Sequence, residues 1–226
     1  MKKATLLFWF FALSLASGYY AKATYDAPKH RAEQAKSEAG QLVGHDGVRE
    51  GDLIFQTSLS SQSLPIQLAT KSKYSHCGIV YKYGSAFFVF EAIQPVKRTL
   101  LAKWIARGKN GHYVVKRLKN ADQVLTPAAL KKMKQVGQTF NGKNYDLAFA
   151  WSDDKIYCSE LIWKVYQRAT GIEIGILGKL SDFDLTNPAV QQKLKERYGN
   201  QIPMNEIVIS PAAIFDSELL VTVKSN

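Results

Sequence analysis

Cysteine is scarce: the 226 residues hold two, Cys77 and Cys158. Neither a CxxC pair nor an HExxH run occurs, so the usual zinc-binding frameworks are excluded, and so is a disulfide-dense scaffold. No P-loop or GxGxxG pattern is present, and Gly175-Ile176-Leu177-Gly178 is too sparse to cradle a phosphate. No apolar run reaches the roughly 20 residues that a membrane-spanning helix needs. There is no internal repeat, no low-complexity tract and no linker to mark a second domain. Acidic residues are also few, 19 against 30 Lys and Arg, for a formal net charge of +11.

What is present begins with an address. Lys2 and Lys3 form a basic n-region, residues 4–15 an apolar h-region, and Ala21-Lys22-Ala23 a small-x-small cleavage pattern, with Ala16-Ser17-Gly18 as the alternative. Residues 1–23 therefore read as a signal peptide for export to the periplasm of a bacterial envelope; an uncleaved anchor is the weaker alternative. No Cys follows the h-region, which argues against a lipid anchor. Residues 24–226 are then one domain, long enough for a full hydrophobic core. Three lysines leave with the leader, and the surplus that remains suits peripheral contact with anionic lipids or cell-wall polymers rather than nucleic acid. A plain solvated surface explains it as well.

Residues 27–42, rich in Ala, Glu, Lys and Gln, read as a polar helix, and His30 and His45 as exposed. Strands are expected leading to residue 55, at 74–81, 86–93, 113–118 and 219–223. Helices are expected at 60–70, 100–107, 126–140 (capped by Thr126 with Pro127 at its first position), 188–198, and just after Pro211. Asp52, in a Gly-Asp turn before the first strand, reads as structural.

The stretch Tyr157-Cys158-Ser159-Glu160-Leu161-Ile162-Trp163 opens a further helix. Leu161, Ile162, Val165 and Ala169 fall at i+3, i+4, i+7 and i+11 from Cys158, which puts the thiol on the buried stripe at the first turn. Unpaired N–H groups and the positive end of the helix dipole gather there; both favour a thiolate, and the N–H groups can hold an oxyanion. Ser159 has no base of its own.

A base can be placed by strand pairing. With Tyr83-Gly84 as a two-residue loop, Lys82 pairs with Ser85, and His76 falls directly opposite Glu91 on one face, with Cβ atoms about 4.5–5.5 Å apart. A carboxylate beside an imidazole orients it and stabilises the imidazolium. The competing reading is a Cys77–Cys158 disulfide, as an oxidising compartment invites. Because side chains alternate along a strand, Cys77 should point away from the face of His76. The two readings then exclude one another, and a zinc site from His76, Cys77 and Cys158 would need both faces of one strand.

In order, the pieces Gly51-Asp52-Leu53-Ile54-Phe55, Tyr74-Ser75-His76-Cys77-Gly78, Val89-Phe90-Glu91-Ala92 and Tyr157-Cys158-Ser159-Glu160-Leu161 resemble the YiiX/YebB-like group. This is a set of exported, circularly permuted NlpC-type papain-like cysteine hydrolases. The order His, Glu, Cys is that of the permuted group. The resemblance implies an α+β fold with an antiparallel sheet packed against helices, and Cys158 as nucleophile, His76 as base and Glu91 as orienter. It implies acyl transfer at an amide or ester bond without a cofactor or metal. The substrate it implies is a cell-wall peptide, with an acyl lipid as alternative, in a hydrolase or an acyltransferase. A binding module that has kept the fold is the remaining alternative. Cys77 stands where the pattern calls for a small residue such as Thr. Phe87 to Phe90 and Phe149-Ala150-Trp151 are candidates to line a groove.

Overall fold

The computed structural model describes residues 29–43 and 47–226. The signal-peptide reading of residues 1–23, and His45, lie outside the described residues. The strands are β1 (Leu53–Gln56), β2 (His76–Tyr83), β3 (Ala86–Glu91), β4 (Lys97–Leu100), β5 (Val114–Leu118), β6 (Gly178–Lys179), β7 (Ile207–Val208) and β8 (Leu220–Ser225). The helices are α1 (29–42), α2 (Ser63–Thr70), α3 (Leu101–Arg107), α4 (Ala121–Val124), α5 (Pro127–Phe140), α6 (Cys158–Thr170), α7 (Pro188–Tyr198) and α8 (Pro211–Phe215). Six strands form one antiparallel sheet in the order β4-β3-β2-β1-β5-β8; β6 and β7 pair separately. Among the described residues no helix is long and apolar enough to cross a membrane.

Strand alternation sorts the sheet into two apolar faces. Leu53, Phe55, Cys77, Ile79, Tyr81 and Phe90 share one core with Met133 and Phe140 of α5 and with Leu161, Ile162 and Val165 of α6. Ile54, Val80, Val89 and Val115 face the other way, onto Ala35, Ala39 and Leu42 of α1 and Leu101, Trp104 and Ile105 of α3. With both faces covered, the central strands carry apolar residues at nearly every position. Asp52 is fully buried and takes two 2.7 Å bonds from Arg117 of β5, while the backbone N–H of Arg49 donates a third. It ties the entry of β1 to β5, the structural role expected of it.

Thr126 caps α5 through its hydroxyl, and α6 ends at Gly171, whose φ of 79° places it in the left-handed region that glycine tolerates. The β2–β3 hairpin departs from expectation. Tyr83 pairs with Ala86 and Ile79 with Phe90, so the loop is Gly84-Ser85 rather than Tyr83-Gly84. The first position of such a loop needs a positive φ, and Gly84 supplies it at 60°; the expected register would have forced Tyr83 there. The slip is by two residues in pairing sum. It therefore keeps His76 and Glu91 on one face but moves them from directly opposite to diagonal.

Candidate active site

Cys158 is the first residue of α6, after the N-cap Tyr157. Two hydrogen bonds anchor this end of the helix to the chain after β7. Ile209 N–H donates to the Tyr157 hydroxyl at 3.1 Å, and Ser159 Oγ donates to the Ile209 carbonyl at 2.7 Å. Ser159 is thereby occupied as a structural tie. The N–H groups of Cys158 and Ser159 belong to the first turn and have no intrahelical acceptor, which is the kind of donor that can hold an oxyanion.

His76 opens β2 and Glu91 closes β3, and the two meet across the end of the sheet: His76 Nε2 lies 2.6 Å from Glu91 Oε2. Glu91 is fully buried and held by three further donors, Thr99 Oγ1 at 2.5 Å, Trp104 Nε1 at 3.0 Å and the Arg107 guanidinium. The Trp104 ring also stacks on the imidazole, with centroids 6.0 Å apart. Burial pushes the Glu91 pKa up, but the bonds and charges of His76 and Arg107 outweigh it and hold the group at about 2. Burial pulls His76 down, and its interactions with Cys158 and Glu91 more than reverse this, raising it to about 9. Cys158 is held well below an ordinary thiol, first by a hydrogen bond from Cys77, against burial, and then by His76. Both shifts favour the charged forms, a protonated imidazole and a thiolate, and Nε2 of His76 is given to Glu91.

Sequence reasoning missed Thr99, Trp104 and Arg107. β4 is a short edge strand of mostly exposed residues with no apolar run to announce it, and Arg107 looks like an ordinary basic residue in the last turn of a helix. It also made the roles of His76 and Cys77 mutually exclusive, and the structure corrects that. Alternation holds for the backbone: Cys77 lies in the core beneath α6, and His76 lies on the other face with Glu91. His76, however, is the first residue of the strand, and it too interacts with Cys158. Both side chains therefore meet Cys158. The two thiols are free, so no disulfide staples β2 to α6.

Cys158 lies at one end of an apolar groove of about 680 Å³, counting its open mouth. Ile66 and Ala69 of α2, Val190 and Leu194 of α7, and Leu180 and Phe183 between them form much of its lining. Tyr145, Phe149 and Tyr157 complete the end near the thiol. Arg197 also lines it; its guanidinium donates to Gln62 Oε1 at 2.7 Å and sits 4.5 Å over the Phe149 ring. Of the aromatics expected to line a groove, Phe149 does so. Trp151 instead packs on Trp163 at 5.3 Å, and Phe87 and Phe90 are buried in the core.

The family model described as "Permuted papain-like amidase enzyme, YaeF/YiiX, C92 family" matches residues 47–224. The "Uncharacterized protein YiiX" of Escherichia coli K12 is 51% identical over 173 residues, spanning 76% of this chain and 84% of that protein. A crystal structure described as that of metalloprotein yiiX from Escherichia coli O157:H7 superposes with a TM-score of 0.76 at 50% identity. The superposition covers 79% of this chain and 97% of the other.

Proposed function

The chain belongs to the permuted papain-like amidase family and has its α+β fold, and from that premise we propose that it is a cysteine hydrolase in which Cys158, His76 and Glu91 carry the chemistry. The observation that supports this most is the buried 2.6 Å contact between His76 and Glu91, with the imidazole coupled to a thiol at a helix N-terminus. The thiolate of Cys158 attacks the carbonyl carbon of an amide or ester. The oxyanion is held by the first N–H groups of α6, and imidazolium His76 gives its proton to the leaving amine or alcohol. Water, deprotonated by the now neutral His76, then opens the thioester. Glu91 stays ionised throughout and keeps the ring aligned.

Export to the periplasm is part of the proposal and rests on the leader alone. The envelope substrate that the resemblance implies is a cell-wall peptide. A second reading, an acyl-lipid amide or ester, is favoured by the groove, whose apolar lining suits a hydrocarbon chain better than a polar peptide.

The Escherichia coli relative is described as a metalloprotein. Among the described residues of this chain, no three or more His, Cys, Asp or Glu side chains gather so as to hold a metal. The donor set of the described residues does not fit a resident ion, and the chemistry proposed for Cys158, His76 and Glu91 uses none.

The test is iodoacetamide alkylation of the reduced protein across pH 4 to 10, read site by site by mass spectrometry. Cys158 should react below neutral pH, and His76→Ala should move that limb up toward the free-thiol value of about 8.5. A Cys158 that stays inert across the range would defeat the catalytic reading and leave a binding module.

A further inference from the structure

Cys77 has no part in that mechanism, yet it is buried in the same core cluster as Cys158, and each thiol shifts the titration of the other. Both are free thiols in one core cluster, where β2 passes beneath the first turn of α6. Their exposures to the outside differ in a way that matters. Cys158 opens into the groove, whereas Cys77 is fully buried and does not line it. A small oxidant entering the groove meets Cys158 and not Cys77. Nor can Cys77 reach a thiol on another molecule. Any disulfide it makes without unfolding is made with Cys158.

We propose that Cys77 is a resolving thiol: hydrogen peroxide oxidises the Cys158 nucleophile, and the two sulfurs then close a reversible disulfide that shuts the site and spares it from irreversible oxidation. The proposal rests on Cys158 being the nucleophile. The steps balance. The Cys158 thiolate attacks one peroxide oxygen and the O–O bond breaks; sulfur loses two electrons to become the sulfenic acid, and the hydroxide that leaves takes a proton from His76. The Cys77 sulfur then attacks the sulfenic sulfur. The S–O bond breaks, and the departing hydroxide leaves as water with the proton of Cys77. The two thiols sit in one core cluster, and closure brings their sulfurs to a bond length of about 2.05 Å. Without a resolving thiol the sulfenic acid proceeds to sulfinic acid, which ordinary thiol reductants do not reverse. Burial raises the Cys77 pKa, and the neighbouring sulfur raises it further. Cys77 is therefore a poor nucleophile in general and depends on contact with its one partner.

Each thiol sits alone in a tryptic peptide, residues 74–82 and 156–164. The full-length protein is reduced, freed of reductant, exposed to hydrogen peroxide, blocked with N-ethylmaleimide, digested without reduction and mapped. The expected product is the cross-linked pair of these peptides, with loss of Cys158 alkylation that dithiothreitol restores. In Cys77→Ala, shown to be folded by its thermal transition, the same exposure should leave Cys158 as sulfinic acid, and dithiothreitol should restore nothing. A wild-type protein that gives sulfinic acid at Cys158 with Cys77 still a free thiol overturns the proposal while leaving the nucleophile in place. A reduced Cys158 that is inert to iodoacetamide before any peroxide overturns the nucleophile, and the resolving role with it.

Discussion

Gly78 and Glu91 stand together at the end of the β2–β3 hairpin, and the side chain that Gly78 lacks would meet Val89 and the Phe90 carbonyl, just before Glu91. A Cβ on Gly78 would come within 2.4 Å of Val89 Cγ1, 2.9 Å of the Phe90 carbonyl and 3.4 Å of Glu91 Cβ. His76 Nε2 meets the Glu91 carboxylate at 2.6 Å. Gly78→Ala must therefore displace Val89 and the Phe90 carbonyl, the two residues before Glu91. The expected cost is about 1–3 kcal/mol of stability, as for other overpacked cores. It should be accompanied by an upward shift of the Cys158 alkylation limb, because the imidazole loses its orienting partner. Denaturant unfolding and pH-resolved alkylation of the one variant read both. A destabilised Gly78→Ala whose alkylation profile is unchanged would show that the glycine serves packing only.

The His76–Glu91 pair also sets a window of pH in which it stabilises the fold. Glu91 is lowered from 4.5 to about 2 in the folded chain, so its contribution is full above 4.5 and is lost as pH falls through 2. His76 is raised from 6.5 to about 9, so its contribution is full below 6.5 and is lost as pH rises through 9. The pair therefore contributes most between 4.5 and 6.5. Glu91→Gln keeps the shape and removes the charge. Its Tm deficit relative to wild type should be largest in that window and should shrink on either side. A deficit that stays constant from pH 3 to 10 would mean that the variant lost only a hydrogen bond.

Those pairings explain why the site was largely legible in the sequence and why parts of it were not. Cys158 could be placed because helix periodicity and an N-terminal thiol are both local patterns. His76 and Glu91 could be paired even with the wrong loop, since a slip from Tyr83-Gly84 to Gly84-Ser85 changes the register by two and preserves the face. The tight packing of Gly78 against Val89 and Phe90 shows only when the neighbouring side chains are in place. Thr99 sits on an edge strand whose Lys-Arg-Thr sequence carries no strand signal, and Arg107 gains its meaning from a carboxylate 16 residues away in the chain. The contact between Cys77 and Cys158 escaped a face argument. Alternation predicts directions along a strand, but not what a side chain at the strand's end can reach.

The groove yields a prediction about chain length. Each methylene buried from water contributes about 0.8 kcal/mol, close to a fourfold change in a rate governed by binding. In a p-nitrophenyl ester series from acetyl to decanoyl, kcat/KM should climb with each added carbon until the groove is filled, then level off. Leu194 is buried at the α7 wall of the groove and is none of the three residues to which the chemistry is assigned. Leu194→Trp should flatten the climb while leaving acetyl ester hydrolysis within about twofold, since an acetyl group has no chain for the wall to meet. The acetyl rate serves as the control for folding and for an intact Cys158. A wild-type enzyme indifferent to chain length, but active on peptide amides with polar acyl halves, would return the substrate to the cell wall. The apolar groove would then be a packing feature beside the site rather than a part of it.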